Sequence, residues 1–181
     1  TWDGWSGANN WNAPDKKTLE LIYNLPSDEL LKVRNVGGIP NGEYKAGSVQ
    51  KRTNFGNTDS VKNQPKTDYM DNSKNDYNNY WKDRTQKYND SVSKGASFAF
   101  NTGTPADIIS WGNYRIPILP KGGTNTYNRD SFYIHGGDVP GSHGCIDLVH
   151  NIDDFAKTYD SYLSRKGVKG LPLFVDRSGQ Y

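Results

Sequence analysis

Phe132-Tyr133-Ile134-His135-Gly136-Gly137-Asp138-Val139-Pro140-Gly141-Ser142-His143-Gly144-Cys145-Ile146-Asp147-Leu148 holds most of what this chain says about itself. Its first four residues read as an apolar strand that ends on an imidazole. Gly137 to Gly141 reads as a loop that folds back. Cys145 then stands just ahead of the one convincing helix, Leu148 to about Arg165. Asp147 is placed to cap that helix. Leu148, Ile152, Phe155, Tyr159 and Leu163 form its apolar stripe, and Gly167 is placed to stop it.

Outward from this segment the signals are short strands. Before it come Ser97-Phe98-Ala99-Phe100, Ile108-Ile109-Ser110-Trp111 and Tyr114-Arg115-Ile116-Pro117-Ile118; after it comes Leu171-Pro172-Leu173-Phe174-Val175. Near the start, Leu19 to Tyr23 and Leu30 to Val33 read as two strands around a turn at Pro26-Ser27-Asp28. Gly37 to Tyr44 reads as a turn leading into another. The expected fold is mainly β, a β-sandwich or distorted barrel with one principal helix after Cys145.

Composition agrees with that class. Over 181 residues only 33 % are hydrophobic, 13 % are aromatic, and 19 Gly with 9 Pro supply turns. That length suits one domain, residues 1–181, with a core that leans on large rings. It carries a polar insertion at about 51–95, where aliphatic residues nearly vanish and ordering entropy is hard to offset. Within the insertion Tyr77, Trp81, Arg84 and Tyr88 fall at helical spacing. Two readings stand: a surface decoration docked by its rings, or a wall over an active site.

The net charge of +2 gives no reason to expect a nucleic-acid partner. No apolar run approaches the roughly 20 residues of a membrane span. The single cysteine rules out an internal disulfide.

A rigidly held His135, flanking glycines that admit a substrate, and Cys145 before a helix make a constellation for acyl transfer. On this reading the helix dipole lowers the thiol pKa and backbone N–H groups beside Gly144 form an oxyanion hole. The rival reading of the same residues is a binding module, with His135, His143, Cys145 and His150 around zinc. The Ser-His-Gly-Cys spacing and the absence of a second cysteine speak against a metal, and no cofactor is expected.

His135-Gly136 followed by Ser142-His143-Gly144-Cys145 resembles the signature of the L,D-transpeptidase catalytic domain, often called the YkuD type. Gly38-Ile39-Pro40-Asn41-Gly42-Glu43-Tyr44 resembles the family's Pro-X-Gly-X-Tyr strand, and Trp111 to Ile116 and Phe132 to His135 resemble its central strands. The resemblance spans about Thr18 to Val175 and lapses across Lys51 to Gly95. It implies a fold of that type and a peptidoglycan stem-peptide substrate. Cys145 is then the nucleophile and His135 the general base. The Gly136 carbonyl orients the imidazole, and the N–H groups at Gly144 and Cys145 hold the oxyanion. Ser142, His143, Tyr133 and Arg115 become substrate-binding candidates, with Arg129 a second arginine able to meet a carboxylate. The implied activities are cross-linking, D-amino-acid exchange, or hydrolysis as an L,D-carboxypeptidase.

Two features depart from the housekeeping enzymes: the loop from His135 to Cys145 is short, and Asp147 stands where those enzymes usually carry Arg or Asn. Both resemble the type VI secretion L,D-transpeptidase effectors. Thr1-Trp2-Asp3-Gly4 also lacks the features of a secretory leader. The expectation is a toxin made in the cytoplasm and secreted, acting in the periplasm of a target cell and countered there by an immunity protein. The alternatives are a housekeeping cell-wall L,D-transpeptidase and a non-catalytic wall- or metal-binding module.

Overall fold

The computed structural model describes residues 1–7, 17, 20, 24–33, 36–53, 100, 111–137, 142 and 144–177. Its elements run β1 (Trp5–Ser6), α1 (Ser27–Leu30), β2 (Gly42–Ala46), β3 (Gln50–Lys51), β4 (Tyr114–Pro120), β5 (Phe132–His135) and β6 (Ile146–Asp147). A 3₁₀ turn (Val149–Asn151), α2 (Ile152–Lys166) and β7 (Leu171–Val175) complete them. The strands form a single sheet in the order β1-β6-β5-β4-β2-β7, with β3 paired to β4.

Alternation along β4 sends Ile116 and Ile118 to one face, where both are buried. Register then aligns the rest of the core. Ile116 pairs with Ile134 and Ile118 with Phe132 on β5, while Ala46 on β2 pairs with Ile118. Tyr44 is buried beside them; its ring meets Phe132 edge-on at 6.3 Å and its hydroxyl donates to the Pro40 carbonyl at 2.8 Å. Helix α2 covers this face with Ile152, Ala156, Tyr159 and Leu163. The sheet curls around the helix as a half-barrel, which is the distorted-barrel form of the sequence expectation. Each buried aliphatic side chain contributes about 1.5–3 kcal/mol, so α2 is held mainly by packing.

The helix ends follow from sequence. Asp153 and Asp154 lie in the first turn of α2, and Arg165 and Lys166 in the last, each complementing the dipole. Gly167 adopts φ 65°, and its N–H closes onto Leu163 and Ser164 carbonyls.

Two sequence expectations change. Leu30 to Val33 is not a strand: Ser27–Leu30 is one helical turn, closed by Leu30 N–H on the Pro26 carbonyl at 3.0 Å. Asp28 and Glu29 favour that turn as acids near a helix start. Lys17, Glu20 and Asn24 are also helical, whereas Leu19 and Leu21 to Tyr23 lie outside the described residues. Trp111, the last residue of the expected strand Ile108 to Trp111, is helical, and of the expected strand Ser97 to Phe100 only Phe100, at a turn, is described. Of the expected polar insertion at about 51–95, only residues 51–53 are among the described ones. Lys51 pairs with Tyr114, and Arg52 is buried with its Nε donating to the Gly112 carbonyl at 2.9 Å. The aromatic set Tyr77, Trp81 and Tyr88 lies outside the described residues.

Candidate active site

The site is built where β5 and β6 run side by side in the same direction. Ile134 pairs with Ile146 and His135 with Asp147. The Leu148 N–H continues the pairing onto the His135 carbonyl at 2.7 Å. On its far side β6 is held by β1, with Trp5 opposite Asp147 and Ser6 opposite Ile146. The Cys-bearing segment is therefore fixed from both edges, and Ser142 N–H adds a 2.9 Å bond to the Gly7 carbonyl.

His135 is 5 % exposed. Its Nδ1 lies 2.7 Å from the Gly136 carbonyl oxygen. A carbonyl only accepts, so Nδ1 carries the proton and Nε2 is left as the basic nitrogen. The Trp111 ring lies over the imidazole at 4.9 Å, tilted by 52°. Asp147, 1 % exposed, brings Oδ1 to 3.9 Å from Nδ1 and accepts the Val149 N–H on the same oxygen at 2.8 Å. Gly136 has no space for a side chain: a Cβ would stand 2.2 Å from the Val149 carbonyl and from Ile152 Cγ2.

Cys145 is half-buried, and its Sγ points to the Ser131 carbonyl at 3.9 Å. It does not begin a helix. Ile146–Asp147 is a strand and α2 starts only at Ile152, so the helix dipole is not aimed at the sulfur. The expected lowering of the thiol pKa is accordingly reversed. Burial pushes it up to about 12, opposed by a backbone hydrogen bond at Tyr133 and by the charges of Arg129 and Arg115, while the Asp147 charge adds to the rise. The resting Cys145 side chain is therefore a thiol rather than a thiolate.

Gly144 has φ 121°, a backbone conformation that side chains resist, and a Cβ there would stand 2.2 Å from Arg129 Nη2. Arg129 is buried beneath this turn. Nη1 donates to the Leu31 and Gly38 carbonyls at 2.7 and 2.8 Å, and Nη2 to the Gly37 carbonyl at 2.6 Å. Its guanidinium also lies over the Phe132 ring at 5.4 Å. It is thus a buried structural cation under the Gly144 turn, with a pKa lowered by burial.

Arg115 pairs in register with His135, so both belong to the sheet face opposite the core. Its guanidinium lies over Phe100 at 4.4 Å, Tyr133 at 4.6 Å and Trp111 at 5.6 Å, and Nε donates to Gln50 Oε1 at 2.6 Å. Tyr133 also meets Trp111 edge-on at 5.4 Å. Arg115 is thus held among three rings on the face that carries His135.

Ser142 is 6 % exposed, and its hydroxyl donates to the Cys145 carbonyl at 2.6 Å. His143 lies outside the described residues. His150 sits in the 3₁₀ turn. Among the described residues no three His, Cys, Asp or Glu side chains gather as metal ligands would, and no helix is long and apolar enough to cross a membrane. Sequence reasoning assigned Asp147 only a capping role and gave Trp111 no role in a site. Neither residue's second contact follows from spacing, because both depend on strand pairing.

No curated protein matches the chain. The sequence pattern of the L,D-transpeptidase catalytic domain, YkuD, matches residues 32–165, most of the 181. That span covers β2 to α2 and so includes both His135 and Cys145. The chain belongs to the L,D-transpeptidase catalytic-domain family and is a cell-wall enzyme of that type.

Proposed function

We propose that the protein cleaves the bond after the third residue of peptidoglycan stem peptides through a covalent Cys145 intermediate. The observation that carries this reading is the 2.7 Å contact between His135 Nδ1 and the Gly136 carbonyl, which leaves Nε2 as the basic nitrogen on a strand paired with Ile146–Asp147, the residues directly after Cys145. His135 Nε2 takes the thiol proton as Sγ attacks the carbonyl carbon of the third residue. The 3.9 Å contact from Sγ to the Ser131 carbonyl is long and is given up at little cost. The oxyanion is held by N–H groups of the Gly144–Cys145 turn. The imidazolium then protonates the departing amine of the fourth residue, leaving a thioester. An incoming amine or water attacks the thioester, His135 accepts its proton, and the proton returns to the sulfur as the acyl group leaves. An amine acceptor gives a cross-link or an exchanged D-amino acid; water gives a shortened stem.

Arg115 and Tyr133 wall the substrate channel in this reading. The short loop between His135 and Cys145, and Asp147 after Cys145-Ile146, favour an antibacterial effector delivered into a target periplasm and neutralised by an immunity protein. Expression in a susceptible bacterium tests the role. With an added signal peptide, lysis or swelling is expected, and is lost with Cys145→Ala. Equal toxicity from the cytoplasm contradicts a wall target, and harmless periplasmic expression favours a housekeeping enzyme.

A further inference from the structure

We infer that Asp147 is a positioning residue for His135, completing a thiol–imidazole–carboxylate arrangement in which the carboxylate acts across space on the protonated ring. The inference deepens the proposed mechanism and rests on His135 serving as its base. Its first support is geometric. Asp147 is paired in register with His135, is 1 % exposed, and holds Oδ1 3.9 Å from Nδ1. That is too long for a hydrogen bond, and the Gly136 carbonyl already takes the Nδ1 proton at 2.7 Å. The carboxylate therefore acts through its charge: an anion at this range favours the imidazolium over the neutral ring, and burial weakens the screening.

The second support is the way Asp147 is held. Val149 has φ 50°, a conformation a β-branched residue resists. Its N–H donates to Asp147 Oδ1 at 2.8 Å, and its carbonyl accepts the Gly137 N–H at 3.4 Å. Gly136, whose carbonyl orients the imidazole, packs against that same Val149 carbonyl. One carboxylate thus fixes a strained turn, and the turn abuts the peptide that aims the base. Strain of this kind persists where surrounding bonds hold it and gathers at functional sites.

The charged and titratable groups on the elements around His135 are Tyr114 and Arg115 on β4, Tyr133 on its own strand, Asp147 on β6 and Cys145 just before that strand. His150 and Asp153 follow at the start of the helical segment, and Asp153 is engaged with Asn113 Nδ2 at 3.1 Å. Arg115 opposes protonation of the ring and Asp147 favours it. Asp147 is the carboxylate whose oxygen comes within 4 Å of the imidazole among the described contacts.

The test is a ¹H–¹³C NMR titration of the His135 ring in the wild type and in Asp147→Asn, a variant that keeps an oxygen to accept the Val149 N–H but loses the charge. The His135 midpoint is expected to fall by about one pH unit in Asp147→Asn, while Asp147→Glu stays closer to the wild type. An unchanged or raised midpoint in a folded Asp147→Asn overturns the inference. Should Asp147→Asn fail to fold, the wild-type Asp147 side-chain carboxyl shift decides. It should report an ionised group throughout the His135 titration, and a protonated one there overturns the inference. Neither readout requires turnover, so a protein inactive on stem peptides would sink the proposed function and leave this test standing.

Discussion

The Gly136 carbonyl, 2.7 Å from His135 Nδ1, fixes which nitrogen of that ring can act as a base. The partner is the very next residue, so the orientation is set by the local turn rather than by a distant side chain. The turn depends on Gly136 having no Cβ, because one would meet the backbone oxygen of Val149 at 2.2 Å. Gly136→Ala is therefore expected to fold less stably and to lose turnover by an amount near that of His135→Ala, about 10²–10⁴-fold. Thermal melting and single-turnover rates check both parts.

Gly144 poses the same question at the nucleophile. Its φ of 121° and the Arg129 Nη2 beneath it leave no place for a methyl group. Gly144→Ala is expected to cost about 1–3 kcal/mol from backbone strain alone and to displace the Cys145 N–H. Denaturant melts should show the loss, and the acylation rate should fall further than the small change in substrate affinity.

Much of this was legible in the sequence. The strand Phe132–His135 and the helix that ends at Gly167 follow from alternation and helical period. What was not legible depends on contacts far apart in the chain. Cys145 looked like a helix N-terminus because Asp147 and Leu148 suit one. In fact β1 and β5 recruit Ile146–Asp147 as a strand between them, and β1 lies at the other end of the sequence. Arg129 read as a candidate partner for a carboxylate because nothing near it in sequence marks it as buried; its three carbonyl partners come from residues 31–38. Leu30 to Val33 read as a strand from its apolar residues, whereas Pro26 and the two acids after Ser27 start a helical turn.

Arg129 carries a stability consequence. Removing its guanidinium leaves three carbonyl groups without their donor, each loss costing about 1 kcal/mol or more. Arg129→Met is expected to lose on the order of 3 kcal/mol, read as a lower urea midpoint with an unchanged slope. Arg129→Lys should recover part of the loss, since a single ammonium cannot reproduce the fork.

The Cys145 thiol gives a pH dependence. Its ordinary pKa of 9.0 is pushed up to about 12 in the folded protein by burial. The folded state therefore binds the proton more tightly than the unfolded chain. That contribution to stability is fully present below about pH 9 and is lost as pH rises towards 12. Wild-type stability should fall across that window more steeply than that of Cys145→Ala. Alkylation of the native thiol near neutral pH should be slower than in the unfolded protein; a native thiol that reacts faster contradicts the buried-thiol description.

The central claim is that Cys145 cleaves stem peptides with His135 as its base. Purified tetrapeptide muropeptides incubated with the protein and analysed by mass spectrometry test it most directly. The account predicts loss of the fourth residue, or its exchange when a D-amino acid is added, with a thioester adduct on Cys145 in quenched samples and no product from Cys145→Ala. Tetrapeptides left intact by the folded wild-type protein, or processed as well by Cys145→Ala, would contradict it.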